Sequence, residues 1–187
     1  MLTVVPVPYE EGPALTTNWY VITGAPCSGK TAVIKQLEQR GHAVIHEVAR
    51  AYIDAGLVQG KTLEQIKADV WMFERHILMA KVKLEAGLAR DDIIFLDRAV
   101  PDSIAYYKMC GLDPAEPRKK SRTVRYRKIF LFERLAFLTD PARSEDEKTA
   151  DRLGRLIEES YQSLGYKLIH VPPASITERT EFVLTRL

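Results

Sequence analysis

Eight consecutive residues near the start of the chain have the types and spacing that bind phosphate. They fit the pattern G-x-x-x-x-G-K-[ST] at every fixed position, and such a loop wraps backbone N–H groups around an anion. The lysine reaches the β- and γ-phosphates of a nucleoside triphosphate, and the threonine hydroxyl holds Mg²⁺. The residues predicted to bind the nucleotide are Gly24, Ala25, Pro26, Cys27, Ser28, Gly29, Lys30 and Thr31.

Three later residues could complete a phosphoryl-transfer site together with Lys30. Asp97 ends an apolar run and is expected to hold Mg²⁺ with Thr31, or else to take the proton of the acceptor. Glu47 is expected to orient an acceptor hydroxyl and to receive its proton. Arg98 would contact a phosphate oxygen or the acceptor. We therefore predict catalytic roles for Lys30, Glu47, Asp97 and Arg98, and metal binding by Thr31 and Asp97.

Arg50 lies three residues after Glu47, so a helical turn would bring the two side chains to the same side. There Arg50 would bind an anionic part of the acceptor or hold Glu47 in place. Glu47, Arg50 and Arg98 are the predicted substrate-binding residues.

A charged segment at about residues 134–148 joins a predicted strand to a predicted helix and is long enough to act as a lid. A lid excludes water and brings an arginine to the charge that develops during transfer. Arg143 is the first choice for this catalytic arginine, followed by Arg134 and Arg152.

Strands that alternate with helices must position these groups. Strands are predicted at 19–23, 42–47, 93–97, 128–133 and 167–171. Such alternation is typical of a parallel sheet, which binds ligands beyond the carboxyl ends of its strands. The predicted fold is α/β, a three-layer P-loop NTPase fold with a mainly parallel sheet of about five strands flanked by helices.

The predicted helices cover 30–40, 48–55, about 62–88, 102–109, 146–164 and the residues after Ser175. Gly56 is interpreted as the end of the second helix. A capping box at Thr62 is expected to open the longest helix of the chain. Its two apolar stripes, one of them beginning at Trp71, predict burial on two sides, with the aromatic side chains in the core.

The 187 residues suit one domain at 18–187, preceded by an irregular lead-in at 1–17. The formal net charge of +2 does not indicate a polyanionic partner for the whole surface. Two cysteines form no disulfide framework, and no signal peptide or apolar run of ~18 residues is visible, so a cytoplasmic location without a transmembrane segment is expected.

Residues 118–128 contain seven basic residues in eleven. Such a run could bind nucleic acid or an anionic lipid, although it is more often a solvated helix face. A competing hypothesis follows, in which the protein is a nucleotide-binding regulatory module with low turnover that acts through this segment. The four histidines lack metal-ligand spacing and predict no zinc site.

Two classes of phosphate-loop protein fit the chain poorly. A GTPase fixes guanine with an Asn-Lys-x-Asp element, but Asn18 is the only asparagine. A hexameric motor ATPase needs an Asp-Glu pair at the end of its third strand, where this chain has Asp97 and Arg98.

The segments 22–31, 47–50 and 95–103, taken in order, resemble the AAA domain family typified by the kinase domain of NadR and by Ttd14. The later segments 130–133 and 143–146 also fit, so the similarity covers roughly residues 18–187. The resemblance implies a nucleoside-kinase-like fold that binds ATP or GTP with Mg²⁺. NadR relatives phosphorylate nicotinamide riboside, whereas Ttd14 relatives bind nucleotides and phosphoinositides. Cys27 stands where glycine is common in the family.

From the motifs and the resemblance together we expect an ATP-binding phosphotransferase or ATPase. It would transfer the γ-phosphate of ATP, with Mg²⁺, to a hydroxyl of a small nucleoside-like molecule, and would hydrolyse ATP slowly without that acceptor. The identity of the acceptor, the choice between ATP and GTP, and the oligomeric state stay open.

Overall fold

The computed structural model describes residues 14–135 and 144–187. The strands are β1 (Leu15–Thr16), β2 (Trp19–Thr23), β3 (Ala43–Ile45), β4 (Ile94–Asp97), β5 (Val124–Arg125), β6 (Lys128–Phe132) and β7 (Leu168–Val171). The helices are α1 (Lys30–Gln39), α2 (Val48–Val58), α3 (Leu63–Ile66), α4 (Val70–Ala86), α5 (Asp102–Met109), α6 (Ala115–Lys120), α7 (Ser144–Ser163) and α8 (Ile176–Leu184). In this part of the chain, no helix is long and apolar enough to cross a bilayer.

Five strands form one parallel sheet in the order β3-β4-β2-β6-β7, which confirms the predicted α/β architecture. The strand β2, which leads into the phosphate loop, lies at the centre between β4 and β6. Ile22 is paired with Asp97, so the end of β4 reaches the start of the loop. A separate parallel pair joins β1 to β5, so part of the predicted irregular lead-in forms a strand. Residues 1–13 of that lead-in lie outside the described residues.

Helices cover both faces of the sheet. Successive side chains of its central strands point to opposite sides, so each strand contributes to two cores. Tyr20 and Ile22 of β2 pack in one core with residues of α1 and α8. Trp19 and Val21 pack in the other core with residues of α5 and α7. The two cores explain why these strands are continuously apolar, as buried parallel strands usually are.

Two predicted helix boundaries are wrong, and the glycine at 56 explains one of them. The helix α2 runs past Gly56 to Val58 because that glycine is a packing position. A Cβ at residue 56 would lie 2.6 Å from Cδ1 of Ile66, so α3 approaches α2 there. Gly60, with φ of +80°, adopts the left-handed conformation after the helix.

The helix predicted from Thr62 is divided in two. Thr62 does form its capping box, but with the short α3, and Asp69 then caps α4 by accepting a hydrogen bond from the backbone N–H of Met72. The longest helix in the described residues is α7. Trp71 is 48% exposed on α4, so the second apolar stripe is only partly buried.

Candidate functional site

The phosphate loop follows β2 and requires glycine where it passes β6. A Cβ on Gly24 would lie 2.4 Å from the carbonyl oxygen of Phe132, which is too close. The φ of Gly24 is +136°, a conformation that other residues rarely adopt, so both the contact and the backbone conformation require glycine. Cys27, with φ of +58°, and Gly29, with φ of +80°, also lie in the left-handed region. Cys27 is thus a non-glycine residue in a conformation that glycine adopts at lower cost.

Lys30 is the first residue of α1, and its side chain is 5% exposed. Its Nζ donates to the carbonyl oxygen of Ala25 at 2.7 Å and to Oγ of Ser28 at 3.0 Å. Burial lowers the pKa of Lys30 to about 7, and the nearby guanidinium of Arg98 acts in the same direction. A phosphate in the loop would favour the protonated lysine, because an adjacent negative charge favours the charged form.

Asp97 ends β4 and is 2% exposed. Burial, followed by the neighbouring carboxylate of Glu47, raises the pKa of Asp97 to about 6. Its Oδ1 has no hydrogen-bond partner among the described residues. A buried, unpaired carboxylate oxygen fits a hard cation such as Mg²⁺, which takes oxygen ligands. The exposed Thr31 in the first turn of α1 could supply a second oxygen, so these residues fit the predicted metal.

Arg98 follows Asp97 in the left-handed conformation, with φ of +68°, and its side chain is 4% exposed. Its Nε donates to Oε1 of Glu47 at 3.2 Å, and its Nη1 donates to Oδ1 of Asp102 at 3.1 Å. The structure therefore brings Glu47, Asp97 and Arg98 together at the ends of β3 and β4, as the strand pattern indicates.

Asp102 was predicted only to begin a helix, yet it connects the elements of the site. Its Oδ1 also accepts a hydrogen bond from Oγ1 of Thr23 at 2.5 Å, and its Oδ2 accepts from Tyr161 at 2.6 Å and from the N–H of Ala99 at 2.9 Å. Burial opposes ionisation, but Arg98 and the hydroxyl donors outweigh it and lower the pKa of Asp102. The i, i+4 spacing from Arg98 was the available sequence signal.

Of the two roles considered for Arg50, the structure does not show the one in which it holds Glu47 in place. Nε of Arg50 donates to both carboxylate oxygens of Asp54 at 2.9 and 3.0 Å, one turn further along α2, while Glu47 is held by Arg98. Arg50 still lines the cavity described below, so substrate binding by this residue stays a prediction.

Arg143 lies outside the described residues, as does most of the predicted lid. At its start, Arg134 donates to the carbonyl oxygen of Glu147 at 3.3 Å and to the carboxylate of Asp151. Arg134 is thus bound to the first turns of α7. The catalytic role of Arg143 stays a prediction.

A cavity of about 330 Å³ opens beside Glu47 and Arg98, and we call it the interhelical cavity. Its walls come from α2, α4 and α5, joined by Lys67 between α3 and α4. The apolar lining residues are Ala49, Ile53, Val70, Phe73, Ile77 and Tyr106. The polar ones are Glu47, Arg50, Lys67, Glu74, Lys81, Arg98, Ser103 and Cys110. Phe73, predicted to be a core residue, is buried from bulk solvent, and its side chain also lines this cavity.

Arg179 of α8 supports the phosphate loop from behind and was not singled out in the sequence. Its side chain is fully buried, and Nη1 donates to the carbonyl oxygen of Ser28 at 2.6 Å. Nη2 donates to the carbonyl oxygens of Glu133 at 3.1 Å and Val171 at 3.4 Å. One guanidinium thus joins the loop to the ends of β6 and β7. No local sequence motif predicts this role of Arg179, because most of its acceptors are backbone carbonyl oxygens distant in sequence.

The basic segment 118–128 is not a single free surface. The guanidinium of Arg125 donates to the carbonyl oxygens of Leu164 and Gly165, both at 2.9 Å, and lies 4.0 Å from the ring centroid of Tyr166. Lys128 donates to the carbonyl oxygen of Arg186. At least two of the seven basic side chains therefore bind within the fold.

The solved structures that resemble this chain include several kinases. Deoxyadenosine kinase from M. mycoides matches with a TM-score of 0.62 and 14% identity, over 90% of this chain and 97% of that chain. Thymidylate kinase from Ehrlichia chaffeensis matches with a TM-score of 0.61 and 13% identity, over 92% and 98%. At these identities the likeness shows the fold alone, which is the P-loop fold of nucleoside and nucleotide kinases.

NadR in complex with NR matches with a TM-score of 0.62 and 15% identity over 92% of this chain. The alignment covers 49% of the NadR chain, so this chain spans about half the length of NadR. A search of curated protein sequences gave no match. The profile of an AAA domain family, however, matches residues 19–179. Because that match covers most of the chain, including the phosphate loop, Asp97 and Arg179, the protein belongs to this AAA domain family.

Proposed function

We propose that the protein transfers the γ-phosphate of ATP to a hydroxyl group of a small, nucleoside-like molecule, with Mg²⁺ as cofactor. One observation carries the proposal: Glu47 and Arg98 stand at the boundary between the phosphate loop and a separate cavity large enough for a small organic acceptor. An enzyme that only hydrolyses ATP needs no such second cavity, whereas a phosphotransferase must bind its two substrates side by side.

The residues divide the work between donor and acceptor. Lys30 and the loop amides bind the phosphates, and Thr31 and Asp97 would hold Mg²⁺, which when bound neutralises negative charge on the phosphates. Glu47 accepts the proton of the attacking hydroxyl, and the guanidinium of Arg98 holds its carboxylate in position. The structural resemblance to nucleoside kinases and to NadR supports a nucleoside-like acceptor.

The test is a nucleoside panel, nicotinamide riboside included, incubated with ATP or GTP and Mg²⁺ and analysed by product mass. We expect one phosphate added to at least one nucleoside. Lys30→Ala should lower kcat/KM by at least about 100-fold because it removes a donor to the transferring phosphoryl group. Lys35→Ala is the matched control, since Lys35 is exposed on the same helix.

Glu47→Gln separates the acceptor step from nucleotide binding. It should leave ATP affinity within about twofold and lower kcat by roughly 100-fold or more, the usual contribution of a general base. Unchanged kcat would remove Glu47 from its role. If no panel member gains a phosphate while ATP binds, the proposed acceptor class is wrong.

A further inference from the structure

A buried carboxylate in the interhelical cavity has no hydrogen-bond or salt-bridge partner among the described residues. Glu74 lies on α4 and is 7% exposed, and it lines the cavity. It accepts no hydrogen bond and forms no salt bridge with the described residues. Buried carboxylates are normally paired, because an unpaired one costs several kcal/mol of lost solvation.

Glu74 differs from two other charged groups that line the same cavity. Glu47 is bound to Arg98, and Lys81 donates to the carbonyl oxygen of Ala99 at 3.2 Å and to Oγ of Ser103 at 3.4 Å. These groups already have partners within the fold. Glu74 is therefore the lining carboxylate whose hydrogen-bonding capacity is left for a ligand.

The surroundings of Glu74 fit a flat, largely apolar ligand with a polar edge. Phe73 and Ile77 are its neighbours on α4, and Tyr106 faces the same cavity from α5. Burial raises the pKa of Glu74, while Lys81 and Lys67 oppose the shift. A ligand N–H donor would satisfy the carboxylate where the protein does not.

We infer that Glu74 selects the acceptor by accepting a hydrogen bond from an N–H group of its heterocycle or amide, while the reacting hydroxyl lies at the Glu47 end of the cavity. The inference rests on the proposed function for the position of the hydroxyl. It goes further by naming the recognised group: an amino, amide or ring N–H donor rather than a ring that carries only acceptors.

The experiment compares nucleosides in matched pairs that differ in that donor. Uridine and inosine are each compared with their ring N-methyl derivatives, and adenosine and cytidine with their dimethylamino derivatives. For the wild-type protein, methylation should lower kcat/KM by at least about tenfold, because a site built to hydrogen-bond a group discriminates strongly against its absence.

Glu74→Ala and Glu74→Gln identify the residue responsible. In Glu74→Ala the two members of each pair should react within about threefold of one another, since the discriminating acceptor is gone. Glu74→Gln should recover acceptance of rings that present only acceptor atoms, because the amide also donates. Glu64→Gln is the control, as Glu64 is exposed on α3. Both Glu74 variants should fold, because removing a desolvated carboxylate relieves an unfavourable burial.

Calorimetric binding of the same nucleosides distinguishes failure of this inference from failure of the proposed function. Binding that depends on Glu74 and on the N–H group, without phosphate transfer, supports the inference and contradicts the proposed transfer. Phosphate transfer that is indifferent to methylation and to Glu74→Ala overturns the inference and leaves the proposed function standing. Binding that is indifferent to both changes also overturns the inference. If no member of the panel binds, the inference is also overturned.

Discussion

The phosphate loop takes its eight residues from one continuous stretch, whereas the interhelical cavity takes its lining from three helices and the ends of two strands. The loop is shaped by backbone geometry, through Gly24, Cys27 and Gly29. The cavity is shaped by side chains that meet across 64 residues of sequence, from Glu47 to Cys110. A backbone-built site tolerates few changes of residue, whereas a side-chain-built site can be changed one residue at a time.

Asp102 contacts both regions, since it binds Thr23 just before the phosphate loop and Arg98 beside the cavity. Replacing it should therefore affect both. Replacing it with alanine leaves Arg98 buried without that carboxylate and Thr23 without its acceptor, so we expect the free energy of unfolding to fall by about 3–5 kcal/mol. Urea denaturation of Asp102→Ala measures the loss. Asp92→Ala is the control, since Asp92 is exposed in the turn before β4. A loss below about 1 kcal/mol would show that Asp102 does not connect the two regions.

Glu85 provides a test on α4, the helix that contributes more residues to the lining of the cavity than any other. It is buried on α4, where it accepts hydrogen bonds from the N–H of Val100 at 3.1 Å and from Tyr126 at 2.7 Å. Burial raises the pKa of Glu85 to about 7, whereas Tyr126, Val100 and Lys81 oppose the shift and Asp102 adds to it. The folded protein therefore binds this proton more tightly than the unfolded chain, and the contribution of Glu85 to stability decreases as pH rises from about 4.5 to 7.

Glu85→Gln should remove that pH dependence. The stability of the wild type relative to the variant should be about 3 kcal/mol more favourable at low pH than at high pH, from 1.36 kcal/mol per pKa unit. The measurement is the free energy of unfolding in urea at a pH below about 4 and at a pH above about 7.5, roughly half a unit beyond the two pKa values. Parallel pH profiles for the two proteins would contradict the buried titration.

Arg179 sharpens the comparison on the loop side. Arg179→Lys keeps the charge but loses the forked geometry that reaches the carbonyl oxygens of Ser28, Glu133 and Val171. We expect a loss of about 2 kcal/mol in the free energy of unfolding and at least a tenfold loss of ATP affinity, with nucleoside affinity within about twofold. Arg127→Lys, at an exposed arginine, is the control. Equal losses for both ligands would show that the loop and the cavity are not independent.

The same contrast explains what could be predicted from the sequence. The loop, its strand and its helix are encoded locally, so a motif and a run of apolar residues were sufficient. The pairing of Glu47 with Arg98 instead of Arg50 depends on β3 lying beside β4, which no local spacing specifies. Arg179 was missed for the same reason, since its acceptors are backbone carbonyl oxygens far along the chain.

The error at α3 and α4 has a different cause. The apolar residues continue at steps of three and four across Lys67 to Asp69, so the periodicity concealed the interruption. The sequence signal for the start of α4 was Asp69, a capping residue that accepts a hydrogen bond from the N–H of Met72 three positions later. Gly56 misled similarly, because glycine permits close packing as well as helix termination.

Because α3 and α4 are separate helices, the wall of the cavity on this side is not formed by one continuous helix. The α4 segment is anchored in the core by Ile77 and Leu78, while α3 rests on α2 through Ile66. Substitutions at the exposed Lys67 and Val70 can thus alter the shape of the entrance without disturbing the sheet or the triphosphate cradle. Under the proposed function, the shape of the acceptor pocket can therefore change without any change in the residues that bind the phosphates.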